Sequence, residues 1–136
     1  MSNSIKKLKI SSEIIKDGEK DNIDFFTEAK YYEKNNKQYF SYKEGELTGM
    51  EGSTTMLTID GNKLIINRYG TNKSKMTFIL NEKTYTNYIT PYGKFEMEII
   101  TNSLLLNLNN NYIEVEYFLI VKGLSESNNK LKIEIK

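Results

Sequence analysis

The chain has no histidine and no cysteine among its 136 residues. That removes the commonest general base, metal ligand and physiological pH switch. It also removes thiol nucleophiles, disulfides, Fe–S clusters and Cys/His zinc sites. What remains for chemistry is carboxylates, tyrosines, threonines and a single arginine, Arg68. A guanidinium does not shed its charge, so an enclosed Arg68 needs a carboxylate, several carbonyls or water around it. Glu28, Glu44 and Glu82 are the carboxylates that could serve. An enzyme built from this sequence would use a carboxylate base (Glu82, Glu96 or Glu98) or a Tyr/Arg pair as acid and electrostatic stabiliser. No residues have the spacing of a named catalytic constellation. Glu96 and Glu98 alternate with Phe95 and Met97 beside Lys94, which reads as a solvated strand face. No cofactor is expected, since ligands for haem or zinc are wanting.

The elements that must position these groups are strands. Apolar residues recur with period two from end to end, punctuated by turn residues, and no segment shows a helical period. The first strand covers Ile5 to Lys16, with Leu8, Ile10 and Ile14 on one face. Asp17-Gly18 opens a loop reaching Asn22. The second runs from Ile23 to Glu33, with Ile23, Phe25, Thr27, Ala29 and Tyr31 on one face. Asn35-Asn36 turns into the third, Lys37 to Lys43. Gly45 to Gly52 is a glycine-rich loop; a phosphate cradle would want a helix N-terminus or a basic residue after it, and a strand follows instead. Asp60-Gly61-Asn62 joins strands at Thr54 to Asp60 and Lys63 to Tyr69 by a hairpin. Its acidic residues are too few for a calcium loop. Further strands fall at Lys75 to Leu80 and Thr84 to Thr90. Another, Lys94 to Thr101, continues over Leu104 to Leu108 after a bulge or bend at Asn102-Ser103. The cleanest is Tyr112 to Val121. Gly123 to Asn129 reads as a loop before Leu131, Ile133 and Ile135 alternate at the end.

Sequential antiparallel strands in this number curl and close, because a flat sheet leaves two edges exposed. The expected fold is all-β: a single antiparallel meander of about eight to ten strands closing into a barrel, one domain over residues 1–136. A sandwich is the alternative.

Thr90-Pro91-Tyr92-Gly93 carries the chain's one proline and fits a β-turn with proline second and glycine fourth. With Pro91 and Tyr92 as the loop, Thr90 faces Gly93 and Tyr88 faces Phe95. The face of Phe95, Met97, Ile99 and Thr101 then also receives Tyr88, Thr86 and Thr84. The same alternation puts Arg68 with Leu64 and Ile66, and Tyr117 with Val115 and Leu119. The interior is therefore expected to be apolar with embedded polar groups: Arg68, Thr84, Thr86, Tyr88, Thr101 and Tyr117. Two readings of that cluster stand side by side. One is a hydrogen-bonded plug that closes the barrel, with tyrosine rings packed on the guanidinium. The other is a pocket that orients a ligand bearing an acidic or carbonyl group.

The ordered set Tyr31-Tyr32, Tyr39-Phe40-Ser41-Tyr42-Lys43-Glu44, Asn67-Arg68-Tyr69-Gly70, Thr90-Pro91-Tyr92-Gly93, Thr101 and Glu116-Tyr117 resembles the YwiB-like proteins. These are small bacterial proteins assigned a calycin-like β-barrel. The resemblance spans nearly the whole chain. It implies a calycin- or lipocalin-like barrel and adds Tyr42 to the candidate site, beside Arg68, Tyr88, Thr101, Tyr117 and Thr86. It supplies no activity. The tryptophan that many lipocalins carry near their first strand is absent, so ligand transport of that type is not implied.

Composition bounds the partners. Nineteen basic and 18 acidic residues leave a net charge of +1, so no global field gathers nucleic acid or an anionic membrane. No window approaches about 18 apolar residues, and Met1 to Lys9 lacks a signal-like apolar run. A cytoplasmic protein, monomeric or homodimeric, is expected. Its function would be to bind a small organic ligand inside the barrel near Arg68, through a mouth by the Gly45 to Gly52 loop. The alternative is a non-catalytic structural or interaction module with a filled barrel. Tyr69, Tyr92 and Phe118 would then be its outward aromatics.

Overall fold

A computed structural model describes residues 3–136. Ten antiparallel strands follow in chain order: β1 (Asn3–Lys16), β2 (Glu19–Lys34), β3 (Lys37–Lys43), β4 (Ser53–Asp60), β5 (Lys63–Gly70), β6 (Ser74–Ile79), β7 (Lys83–Thr90), β8 (Gly93–Asn107), β9 (Tyr112–Val121) and β10 (Ser125–Ile135). The sheet order is β6-β5-β4-β3-β2-β1-β10-β9-β8-β7. All neighbours are therefore consecutive in sequence, except that the first strand pairs with the last. That pairing runs from Leu8↔Ile135 to Ile15↔Asn128. The result is the expected all-β meander, closed into a barrel of ten strands.

Closure is complete everywhere but at one seam. Between β6 and β7 the ladder shrinks to a single bridge, Lys73↔Ile89, with N–H···O distances of 2.9 and 2.8 Å in the two directions. Farther along the seam, the Thr84 hydroxyl donates to the Thr77 carbonyl at 2.6 Å. A side chain there stands in for a missing ladder bond, because a carbonyl left unpaired at this position would be costly.

The β7–β8 hairpin forms in the register the pattern requires. Thr90 pairs with Gly93, Tyr88 with Phe95, Thr86 with Met97 and Thr84 with Ile99. The Thr90 hydroxyl oxygen accepts from the Tyr92 N–H at 3.0 Å and so stabilises the two-residue loop. The irregularity in β8 is a bulge, with the register shifting between Thr101 and Ser103. Asn102 is the extra residue, so inward parity passes from Thr101 to Leu104. At Asp60-Gly61-Asn62 the loop itself is Gly61-Asn62, flanked by the Asp60↔Lys63 pair, and Gly61 takes the positive φ.

Three spans differ from expectation. Glu19 to Asn22, read as loop, belongs to β2 and pairs with Glu13 to Lys16 behind a tight Asp17-Gly18 turn. Ser125 to Asn129, also read as loop, is the start of β10 and pairs with β9. Both are polar runs that a period-two search passes over. Backbone ladder bonds to a neighbouring strand hold them extended whatever their side chains. The Gly45 to Gly52 loop contains one turn of 3-10 helix, Glu46–Thr48.

Because the strands alternate in direction, the β1–β2, β3–β4, β5–β6, β7–β8 and β9–β10 connections gather at one end of the barrel. The inward side chains at the other end are Leu8, Phe40, Ile59, Leu64, Phe78, Ile113, Val115 and Ile133, all essentially buried. That end is a packed hydrophobic core. The first end is not.

Candidate functional site

The first end holds a cavity of about 380 Å³. At ~30 Å³ per molecule of liquid water, that is space for about a dozen waters. All ten strands contribute to its wall, and Thr48, Gly49 and Met50 of the β3–β4 loop lie across its mouth. Its lining is mostly apolar: Ile14, Phe25, Met97, Leu119, Val121 and Leu131 among others. Most of these are only half-buried, although they point into the barrel. The buried Phe78 ring packs at a tilt on Tyr117, with centroids 4.7 Å apart, where the packed core meets the cavity.

The polar groups on this wall form two clusters. In the first, β5 carries Arg68 inward on the face of Leu64 and Ile66, as alternation requires. Its carboxylate is Glu44, the residue just beyond β3; Glu28 and Glu82 are solvent-exposed. Arg68 Nε lies 3.8 Å from Glu44 Oε2, with side chains 19% and 1% exposed. Thr55, opposite Arg68 in the β4–β5 ladder, donates its hydroxyl to Glu44 Oε2 at 2.5 Å. Thr48 donates to Glu44 Oε1 at 3.1 Å. Both carboxylate oxygens are thus held from the protein side. The guanidinium is less well served. Its one hydrogen bond among the described residues is from Nη1 to the Met76 sulfur at 3.7 Å, and Nε has no acceptor within hydrogen-bonding distance. Sulfur is a weak acceptor, so Arg68 retains unused donors. The expected stacking of tyrosine rings on Arg68 does not occur: the cation–π contacts among the described residues are Lys6 with Tyr31 and Lys9 with Phe26.

Tyr42 belongs to the same cluster. Burial pushes its phenol well above the ordinary range, the Glu44 charge raises it further, and Arg68 pulls it partly back. Tyr117 is likewise raised by burial and lowered in part by Arg68. Both rings line the cavity as protonated phenols at neutral pH.

The second cluster is built from the β5–β6 turn. Asn72, buried there, donates through Nδ2 to the Tyr88 hydroxyl at 2.9 Å. Ser53 Oγ donates to Asn72 Oδ1 at 3.2 Å and accepts from the Asn72 N–H at 3.0 Å. Having accepted from Asn72, the Tyr88 hydroxyl keeps its own proton free for the cavity. Gly70 makes the turn possible. Its φ is +103°, and a Cβ there would collide with the Gly52 carbonyl oxygen.

Four of the six candidate residues therefore meet at the cavity: Arg68, Tyr42, Tyr88 and Tyr117. The other two share the inner face but stand outside the lining. Thr101 is sealed in the core beside the bulge, its hydroxyl without a partner among the described residues. Thr86, beside Met97, lies toward a separate surface hollow with Tyr85, Asn87 and Glu96. Thr84 is taken up by the seam.

Sequence reasoning missed Thr55, Asn72, Ser53 and Asn129. Asn129 lines the cavity and donates to the Ser127 hydroxyl at 2.9 Å. Thr55 had a signal in its parity with Leu57 and Ile59. Asn72 had none, because a turn residue has no face until the strands around it are placed. Of the expected outward aromatics, Tyr69 and Tyr92 are exposed, whereas Phe118 is half-buried.

Comparison with known proteins agrees with this architecture. The crystal structure of the ywiB protein from Bacillus subtilis superposes with a TM-score of 0.78 at 23% identity, covering 97% of this chain and 92% of that one. At that identity the likeness carries the fold alone. By sequence, the "Uncharacterized beta-barrel protein YwiB" of Bacillus subtilis (strain 168) is 30% identical over 101 residues, 74% of this chain and 70% of that protein. The family model described as "Domain of unknown function (DUF1934)" matches residues 8–133. With its ten-stranded meander and a match over nearly its whole length, the chain belongs to the DUF1934 family, the YwiB-like β-barrel proteins.

Proposed function

We propose that this protein is a binding module that holds a small organic molecule inside the barrel, with the polar part of the ligand at Arg68 and Tyr88. The observation that carries this reading is the 380 Å³ cavity with apolar walls and unused donors at one side. Ligand pockets have this size and make-up: mostly hydrophobic lining, with a few convergent polar groups that fix orientation. Half-buried inward side chains such as Leu119, Val121 and Leu131 give the cavity a driving force. Each Å² of their surface covered by a ligand is worth about 25 cal/mol. Access would be past the β3–β4 loop, where the exposed Leu47 stands.

Titration with the neutral fluorophore N-phenyl-1-naphthylamine tests it. Saturable one-to-one enhancement is expected for the wild-type protein. It should weaken at least tenfold in Leu119→Trp, whose larger indole narrows the cavity, while far-UV circular dichroism stays that of the wild type. Equal binding by the narrowed variant, or none by the wild type, removes the reading.

A further inference from the structure

We propose that the ligand of this cavity is an uncharged molecule bearing a carbonyl or ether oxygen, and that Glu44 is the residue that excludes carboxylates from it. The inference rests on the reading of the cavity as a ligand site and deepens it. Arg68 alone would suggest the opposite, since a lone guanidinium in an apolar pocket recruits a carboxylate in a bidentate fork.

The charge count inside the barrel decides. Among the described residues two charged side chains line the cavity, Arg68 and Glu44, of opposite sign. Glu44 is not a mobile counter-ion that a ligand could displace. Its side chain is 1% exposed, and Thr55 and Thr48 hold its two oxygens at 2.5 and 3.1 Å. Arg68 is therefore neutralised from within the protein. A carboxylate entering this space would add a second negative charge near Glu44, with no second cation to balance it. Charges of like sign in a desolvated site repel strongly, and an unbalanced one has lost its hydration. A cation meets the mirror problem beside Arg68.

What the site offers instead is hydrogen-bond donors without net charge. Among the described residues the Arg68 Nη groups have only the Met76 sulfur. The Tyr88 hydroxyl has accepted from Asn72 and can donate. The Tyr117 hydroxyl makes no hydrogen bond among the described residues, and as a phenol it keeps its proton at neutral pH. Donors from β5, β7 and β9 thus face one apolar space. The complement is an acceptor oxygen on an otherwise apolar body.

Isothermal titration at pH 7.5 with 2-nonanone, octanamide, octanoate and octylammonium tests this on the wild-type protein. These share one chain length and differ in the head. The ketone and the amide should bind at least tenfold more tightly than either ion. Octanoate binding as tightly as octanamide overturns the inference while leaving the ligand site standing. Binding of none of the four, together with failure of the fluorophore titration, removes both. Glu44→Gln keeps the shape and the Thr55 contact but uncovers the Arg68 charge. It should raise octanoate affinity at least tenfold and invert the order of amide and carboxylate. A folded Glu44→Gln protein with the wild-type order shows that Glu44 does not set the selectivity. If that variant does not fold, the wild-type ratio still decides the ligand class.

Discussion

The two ends of this barrel are made by the same ten strands with the same alternation, yet their interiors are opposites. At one end the inward positions are Leu8, Phe40, Ile59, Leu64, Phe78, Ile113, Val115 and Ile133, and the space is filled. At the other the inward positions include Tyr42, Arg68, Tyr88, Tyr117 and Asn129, and a cavity remains. Period-two patterning builds a wall; it does not fill what the wall encloses. Filling depends on whether opposed side chains sum to the available volume. Aliphatic and aromatic residues from most of the strands do so at the packed end. At the mouth, the polar groups bind to one another around the rim of the space, through Glu44–Thr55 and Asn72–Tyr88, and leave its centre empty. Close packing is concentrated at one end, and the unspent donors and uncovered apolar surface lie at the other.

That contrast can be broken by substitution. Phe78→Ala, in the filled end and against Tyr117, should cost the most, about 4 kcal/mol in urea unfolding. A loss under about 1 kcal/mol would show that the packed end is not tightly packed. Glu44→Ala comes next at about 3 kcal/mol, because it strands the largely enclosed Arg68 charge and takes away the acceptor of the Thr55 hydroxyl. A neutral result in the same unfolding experiment would mean that water replaces the carboxylate at no cost. Leu131→Ala at the cavity wall should cost about 1 kcal/mol or less, since its side chain already borders open space. A cost like that of Phe78→Ala would erase the distinction between the two ends.

The smallest expected effect is on alkaline stability, and two of the tyrosines behind it stand at the mouth. Tyr42 and Tyr117 have folded-state pKa values raised above the unfolded value of about 10. Their contribution is fully present below pH 10 and is lost as pH rises through the folded values, because the unfolded chain ionises first. Tyr31, packed on Phe40, is pushed up to about 12 by burial first and then by its hydrogen bond to Glu33, and adds to the same window. Melting temperature should therefore fall from pH 10 upward, less steeply in Tyr42→Phe. A Tyr42→Phe profile parallel to the wild type would show that this phenol is not protected.

Much of the wall was legible in advance. Lys37 to Lys43 and Tyr112 to Val121 are strands with the expected bounds. The break at Asn102-Ser103 is a bulge, and the pairing Tyr88↔Phe95 follows from one proline and one glycine. These are local signals, read within a few residues. The misreadings were also local in cause. Glu19 to Asn22 and Ser125 to Asn129 carry no alternating apolar residues, and their neighbours in the sheet make them strands.

By itself, then, the sequence determined an all-β meander, the inward parity of Arg68, Tyr88, Thr101 and Tyr117, and a site without histidine or thiol chemistry. Tertiary structure alone decided that Glu44, and neither Glu28 nor Glu82, neutralises Arg68. It also sealed Thr101 into the core, brought Asn72 to Tyr88, and left one end of the barrel open. The physical reason is one of range. Parity follows from the backbone of a single strand, whereas a cavity and its charge balance are sums over ten strands, fixed only when the first strand pairs with the last.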